Sequence, residues 1–161
     1  MKIKVLLIIF CIGIVLLIVI FYIALRSTNT DVSKKDPYVS IINQSLLTER
    51  EAILAKNLPE FSIKNPYFIT EETILFEGIE KIAILPKGTR LQFANAIHHK
   101  NGTSGVTQSI LTGKVWVNDK LFDIEYYWGD QRISLNPTDK AQWIFSPGLW
   151  QQKSENTIYS F

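Results

Sequence analysis

His98 and His99 are the only histidines in the chain and are the first residues that could do chemistry. Imidazole is a common metal ligand and a general base near neutral pH. Both follow a segment in which Leu91, Phe93 and Ile97 fall on one face, as in a strand. Because adjacent strand residues point to opposite faces, we do not expect the pair to bind one metal ion together. We predict one histidine at the core edge and one toward solvent, and keep both as candidate binding residues.

Asp123 and Glu125 form a carboxylate pair, which suggests hydrolysis. A glycosidase needs two carboxyl groups about 5–10 Å apart, one of them with a raised pKa in a cleft. Two residues that are two positions apart on one face of a strand satisfy this distance. That face lies opposite an apolar one, where solvated carboxylates are the ordinary explanation. The pair therefore supports a hydrolase only as an alternative hypothesis.

No other group of residues forms a known catalytic pattern. Ser104 lies near His99, but the G-x-S-x-G order between a strand and a helix is missing around it. Cys11 is the only cysteine and lies inside an apolar run, so the rest of the chain offers no thiol nucleophile or thiolate metal site. We predict no catalytic residue, no metal and no cofactor.

All four tryptophans lie between residues 116 and 150. Most are expected in the core, because a small β-domain needs large side chains to bury enough area. Trp116 and Tyr127 differ, since strand alternation places each opposite its apolar neighbours. If both are exposed on paired strands, they form a platform for a binding partner. The alternative is a second buried face, covered by helices formed from residues 37–58.

A long apolar run, from Val5 to Leu25, begins the chain and contains no charge and no proline. As a helix its 21 residues would be roughly 31 Å long, close to the ~30 Å hydrocarbon core of a bilayer. A cleaved signal peptide has a shorter apolar region, about 7–15 residues, followed by small residues. We therefore predict a retained signal-anchor transmembrane helix within residues 1–26, with the bilayer as its partner.

Lys2 and Lys4 precede this run directly, which is the form of a signal-anchor with its N-terminus in the cytoplasm. We expect a single-pass inner-membrane protein whose C-terminal part lies in the periplasm. Without these two lysines, basic and acidic residues are equal in number. Nucleic acid binding needs a concentrated basic face, so we predict no nucleic acid partner.

The segment 27–36 is polar and is predicted to be a tether. Asp36 and a following proline suit a helix start, and apolar spacing over residues 37–58 predicts one or two short helices. Residues 61–161 contain short apolar runs separated by turn residues, which predicts strands. The expected strands include residues 90–98, 106–117 with a bulge at Gly113, and 121–128.

The predicted fold class is therefore α+β: a transmembrane helix, one or two short helices, then a small antiparallel β-sandwich or partly open barrel. Residues 37–161 are expected to form a single exported domain.

The lack of a converging catalytic set favours binding over catalysis. We expect a membrane-tethered, non-catalytic protein-binding module that faces the periplasm, with an immunity-type inhibitor of an incoming toxin as its leading form. This expectation rests on architecture. Two alternatives stay open. One is an accessory subunit of an envelope or secretion complex, and the other is an envelope hydrolase that uses Asp123 and Glu125.

Overall fold

The computed structural model describes residues 3–57, 63, 65–132, 138, 140–152 and 157–160. Over these residues it contains helix α1 (Ile3–Ala24), a 3-10 turn (Tyr38–Ser40) and one mixed sheet. The strands of the sheet are β1 (Thr28–Asp31), β2 (Leu46–Leu47), β3 (Ala52–Lys56), β4 (Tyr67–Thr70), β5 (Glu80–Leu85), β6 (Arg90–Lys100), β7 (Thr107–Val117), β8 (Lys120–Arg132), β9 (Gln142–Phe145) and β10 (Thr157–Ser160).

Helix α1 confirms the predicted N-terminal apolar helix. Within the described part of the chain it is the one helix long and apolar enough to cross a membrane. None of its Leu7–Ala24 window is buried inside the structure. A core helix of a soluble domain would be covered by its neighbours, and α1 is not.

The sheet follows the order β1-β6-β7-β8-β4-β3-β5, with β2 beside β6 and with β9 and β10 extending from β8. It is not closed. Every strand pair is antiparallel except β4 with β8, so the predicted purely antiparallel arrangement is corrected to a mixed sheet. The second edge of β8 is shared, because β4 pairs with its middle and β9 pairs with Gly129–Arg132.

The helices predicted over residues 37–58 are not confirmed. Among residues 37–57, which the structure describes, only Tyr38–Ser40 is helical, as a single 3-10 turn, and β2 and β3 follow. The first four residues of β3, Ala-Ile-Leu-Ala, are all buried. A short continuous apolar run fits a strand that is buried on both faces as well as it fits a helix. Because β4 and β5 flank β3, its backbone hydrogen-bonding groups are paired within the sheet.

The polar segment 27–36 includes a strand of the sheet. Thr28–Asp31 is the edge strand β1, and it pairs with the end of β6. Val32, which follows, is buried, and its N–H donates to the Ala96 carbonyl oxygen at 2.9 Å. The sheet therefore begins only a few residues after α1.

The main core lies on one face of the sheet, which we call the core face. Tyr38 is fully buried there, and its ring makes edge contacts with Trp128 and Phe145. A second, smaller cluster lies on the opposite face, where Leu75 and Ile79 pack against buried residues of β3 and β4. Residues 71–79, which connect β4 to β5, thus cover part of that opposite face.

Candidate functional site

A bulge in β6 brings His98 to the core face. The register of β6 with β7 shifts between Phe93 and Asn95, opposite Gly113. The predicted bulge in this region is therefore carried by β6, and Gly113 is the residue that it faces. The shift places Ala96 and His98 on the core face with Phe93, in place of Ile97. The predicted alternation, with Ile97 beside Phe93, is wrong for this reason.

His98 is held in place by two aromatic side chains. Its Nε2 lies 2.8 Å from the hydroxyl oxygen of Tyr38, and its ring stacks on Trp143 with centroids 3.7 Å apart. The Tyr38 hydroxyl donates to Oγ of Ser109 at 2.8 Å. Burial, aided by the positive charge of Lys35, lowers the pKa of His98 to about 4.

Ser109, Tyr38 and His98 are hydrogen-bonded in series and have the residue types of a catalytic relay. However, a substrate cannot reach Ser109. Ser109 and Tyr38 are fully buried, so no substrate reaches the serine hydroxyl. Tyr38 is hydrogen-bonded on both sides, to Ser109 and to Nε2 of His98. Burial also raises the pKa of Tyr38 above its usual range. This arrangement fixes the core and leaves the rest of the His98 ring beside a groove.

His99 occupies a different setting from His98. Its Nδ1 lies 2.6 Å from Oδ1 of Asn29 on the neighbouring strand β1. The two histidines therefore have no common neighbour in these contacts. Among the residues that the structure describes, no three His, Cys, Asp or Glu side chains are grouped so that they could hold a metal ion.

The carboxylates Asp123 and Glu125 are in unlike environments. Glu125 is 1% exposed, and its two oxygens accept the N–H groups of Ile63 at 3.0 Å and Asn65 at 2.8 Å. The expectation of a solvated carboxylate is wrong for Glu125, because the chain before β4 lies over it. Asp123 is exposed at the side of a groove. Glu125 positions a loop, and this geometry does not support the hydrolase alternative.

Trp116 and Tyr127 lie on the face opposite the core but do not form one platform. Trp116 is opposite Leu121 in the register of β7 and β8, and Tyr127 is opposite Ile110. Six strand positions separate these pairs, which is about 20 Å at ~3.4 Å per residue. Trp116 is covered by the guanidinium of Arg90, 4.9 Å from the ring centroid. The described residues of the segment, 37–57, contain strands and one 3-10 turn, so they do not supply the helical cover that was the alternative.

Tyr127 lines a groove of about 430 Å³ between β8 and the connection of residues 71–79. Burial, with a contribution from the negative charge of Glu125, raises the pKa of Tyr127. Beside the groove, Ile74 is 85% exposed and Phe76 is 76% exposed. We call Ile74, Phe76 and Tyr127 the Phe76 surface. Its rim is acidic, with Glu71, Glu72 and Glu77 close in the chain.

The connection that carries this surface is anchored on both sides of Phe76. Leu75 and Ile79 pack onto the small cluster around Phe68. The N–H of Ile79 donates to the Phe76 carbonyl oxygen at 3.2 Å, and Gly78 adopts a φ of +89° in the turn between them. Alternate residues of the segment therefore point inward, and Ile74 and Phe76 point outward.

Sequence reasoning did not identify Ile74 or Phe76 as site residues. The available signal was the run Ile74-Leu75-Phe76, three apolar residues in a short segment beside a turn. An extended segment that covers one face of a sheet can bury only alternate side chains, so part of such a run must be exposed.

Comparison with protein families, with characterised proteins and with solved structures finds no match to this chain.

Proposed function

We propose that this chain is a membrane-tethered, non-catalytic module that binds another protein through the Phe76 surface. The observation that carries the proposal is the exposure of Ile74 and Phe76 on an anchored connection beside a groove. Large apolar side chains that are exposed together mark interaction sites on soluble domains. A partner that covers them removes their apolar area from water.

The energy available at this surface suits a specific contact. Full burial of a Phe or Ile side chain contributes about 1.5–3 kcal/mol. Ile74 and Phe76 together therefore contribute about 3–6 kcal/mol to binding, before the entropy lost on association is subtracted. Their connection is already fixed by Leu75 and Ile79, which lowers the entropy lost on binding. Tyr127 adds an aromatic ring in the adjoining groove.

The rim defines the chemistry of the partner. Glu72 and Glu77 are exposed, and Glu71 is paired with Arg50. A complementary partner presents an apolar side chain that is flanked by lysine or arginine. Such charge complementarity raises the rate of association and selects among partners.

The membrane setting determines where such a partner is met. The signal-anchor form of the N-terminus favours α1 in the inner membrane and the sheet in the periplasm. Within that setting, our leading hypothesis is that the chain is an immunity-type inhibitor of a toxin. The accessory-subunit form relies on contacts of α1 with another membrane helix, whereas the Phe76 surface lies on the β-domain.

The test is affinity capture with the full chain in detergent, comparing the original chain with I74S/F76S. A matched control is L47S/L121S, which removes two other exposed leucines. We expect I74S/F76S to lose the captured protein and the control to keep it. If I74S/F76S retains the same protein at the original level, the Phe76 surface is not the binding site. Replacing α1 with a cleavable signal peptide should spare an inhibitor and abolish the function of a complex subunit.

A further inference from the structure

A second groove, of about 290 Å³, lies close to the end of α1, and we call it the Lys100 groove. We propose that it binds the phosphate of an anionic membrane lipid. The inference rests on the membrane insertion proposed for α1 and is independent of the protein partner. Its lining includes Thr28, Thr30, Lys35, His98, Lys100 and Trp143.

The chain path places this groove near the lipid headgroups. Thr28 pairs with Lys100 in the sheet, only four residues after α1 ends at Ala24. At most ~3.6 Å per residue, those four residues span about 14 Å. The turn between β6 and β7 touches the same end of α1, since a Cβ at Gly102 would lie 2.1 Å from the Leu25 carbonyl oxygen. If Ala24 marks the edge of the hydrocarbon core, Thr28 lies no more than about 14 Å beyond it, a range that includes the headgroup layer of about 5–8 Å.

The side chains of the groove have the chemistry that a phosphate needs. Lys35 and Lys100 each bring an ammonium group, and neither is in an ion pair among the described residues. Thr28, Thr30 and Thr107 bring hydroxyl groups. None of the described residues that line the groove is acidic. Two cations and several hydroxyl donors around one small space favour an oxyanion with several acceptor oxygens.

The rest of the lining favours a lipid over free inorganic phosphate. Trp143, stacked on His98, provides a flat apolar wall, and Val32 and Ala141 also line the space. A lipid headgroup offers carbon atoms next to its phosphate, and tryptophan is enriched at the depth where the two meet. Free phosphate has no group to place against this wall.

The experiment uses the full chain in detergent and native mass spectrometry, with phosphatidylglycerol or phosphatidylcholine added. A lysine near an anionic membrane surface contributes roughly fivefold in affinity, so K35Q/K100Q should retain roughly 25-fold less phosphatidylglycerol. The control K114Q/K120Q removes the same charge from exposed lysines elsewhere in the sheet and should retain the lipid as before. A further variant, T28V/T30V, keeps the charge and removes two hydroxyl donors, and it should also retain less.

Three results would overturn the proposal. K35Q/K100Q could retain phosphatidylglycerol like the original chain, or both double variants could lose it equally, which would indicate attraction by net charge alone. Complete displacement of the lipid by equimolar inorganic phosphate would assign the groove to free phosphate. The variant I74S/F76S should still retain the lipid, so failure of the Phe76 surface and failure of the Lys100 groove give different results.

Discussion

The uncharged state of His98 makes the stability of the folded chain depend on pH. Its ring faces the Tyr38 hydroxyl and Trp143, and among the described residues that line its groove the charged ones are Lys35 and Lys100. The described residues that line the groove include these two lysines and no carboxylate. Protonation would place a third positive charge beside two others in a half-buried position. The folded state therefore resists the proton, and the unfolded chain does not.

The sign and size follow from the pKa values. His98 titrates at about 4 when folded, against an ordinary value of 6.5. Between these values the unfolded chain binds a proton that the folded chain does not, so stability present above pH 6.5 is lost as the pH falls toward 4. For a fully buried group, the difference between these two pKa values would correspond to a loss of roughly 3 kcal/mol in the free energy of unfolding. Because His98 is only half-buried, solvent screens part of this, and we expect about 1–2 kcal/mol.

The assay compares thermal unfolding of the full chain in detergent from pH 7.5 to pH 4.5 with that of H98Q. Carboxylates titrate in the same range, so the quantity of interest is the difference between the two chains. We expect the unfolding temperature of the original chain to fall by about 5 °C more than that of H98Q over this pH range. K35Q should raise the pKa of His98 and reduce the loss, whereas K114Q should not. Equal pH slopes for the original chain and H98Q, or an NMR titration of His98 centred near 6.5, would refute the reasoning.

Three further substitutions test the packing of the site. Glu125→Gln should lower the free energy of unfolding, measured with denaturant, by about 2–3 kcal/mol, because a neutral amide cannot replace a carboxylate that accepts two N–H donors. The control Asp123→Asn should change this free energy by no more than ~0.5 kcal/mol. Equal effects of the two would mean that Glu125 does not anchor the loop. Arg50→Ala should lower the free energy of unfolding by about 2–4 kcal/mol and speed proteolysis after β9. The reason is that the guanidinium donates to three backbone carbonyls there and pairs with a glutamate. Unchanged proteolysis would contradict this. Gly113→Ala should cost more than about 3 kcal/mol, since a Cβ would lie 2.2 Å from a backbone oxygen of β6. A folded G113A chain with near-original stability would show that β6 and β7 separate easily.

Much of the fold was predictable where each strand has one buried face. The strands predicted at residues 90–98 and 121–128 correspond to β6 and β8, where alternation of apolar and polar residues is a direct signal of a half-buried strand. The strand predicted at residues 106–117 corresponds to β7, although Ser109–Gly113 are buried without alternation. The same signal fails for β3. All four of its first residues are buried, so the segment has no alternation and its period cannot distinguish strand from helix.

The site was less predictable, because its features depend on contacts between distant residues. The alternation along β8 predicts that Glu125 points to the exterior. In the structure it is covered by Ile63 and Asn65, about sixty positions earlier in the chain. His98 reaches the core face because of a bulge in β6, and alternation alone does not locate a bulge. Trp116 and Tyr127 share a face as predicted from alternation, but the register places them far apart.

The two proposed surfaces lie on opposite faces of the same sheet, and this has a functional consequence. The Lys100 groove includes His98 on the core face, near the end of α1, whereas the Phe76 surface includes Tyr127 on the other face. Strands β6, β7 and β8 join them through antiparallel pairing, with one register shift in each strand pair. A lipid held in the Lys100 groove would restrict the orientation of this sheet relative to the bilayer, and would thereby set the direction in which the Phe76 surface is presented. Loss of the lipid site should then weaken capture of a membrane-bound partner while leaving the affinity for a soluble one unchanged.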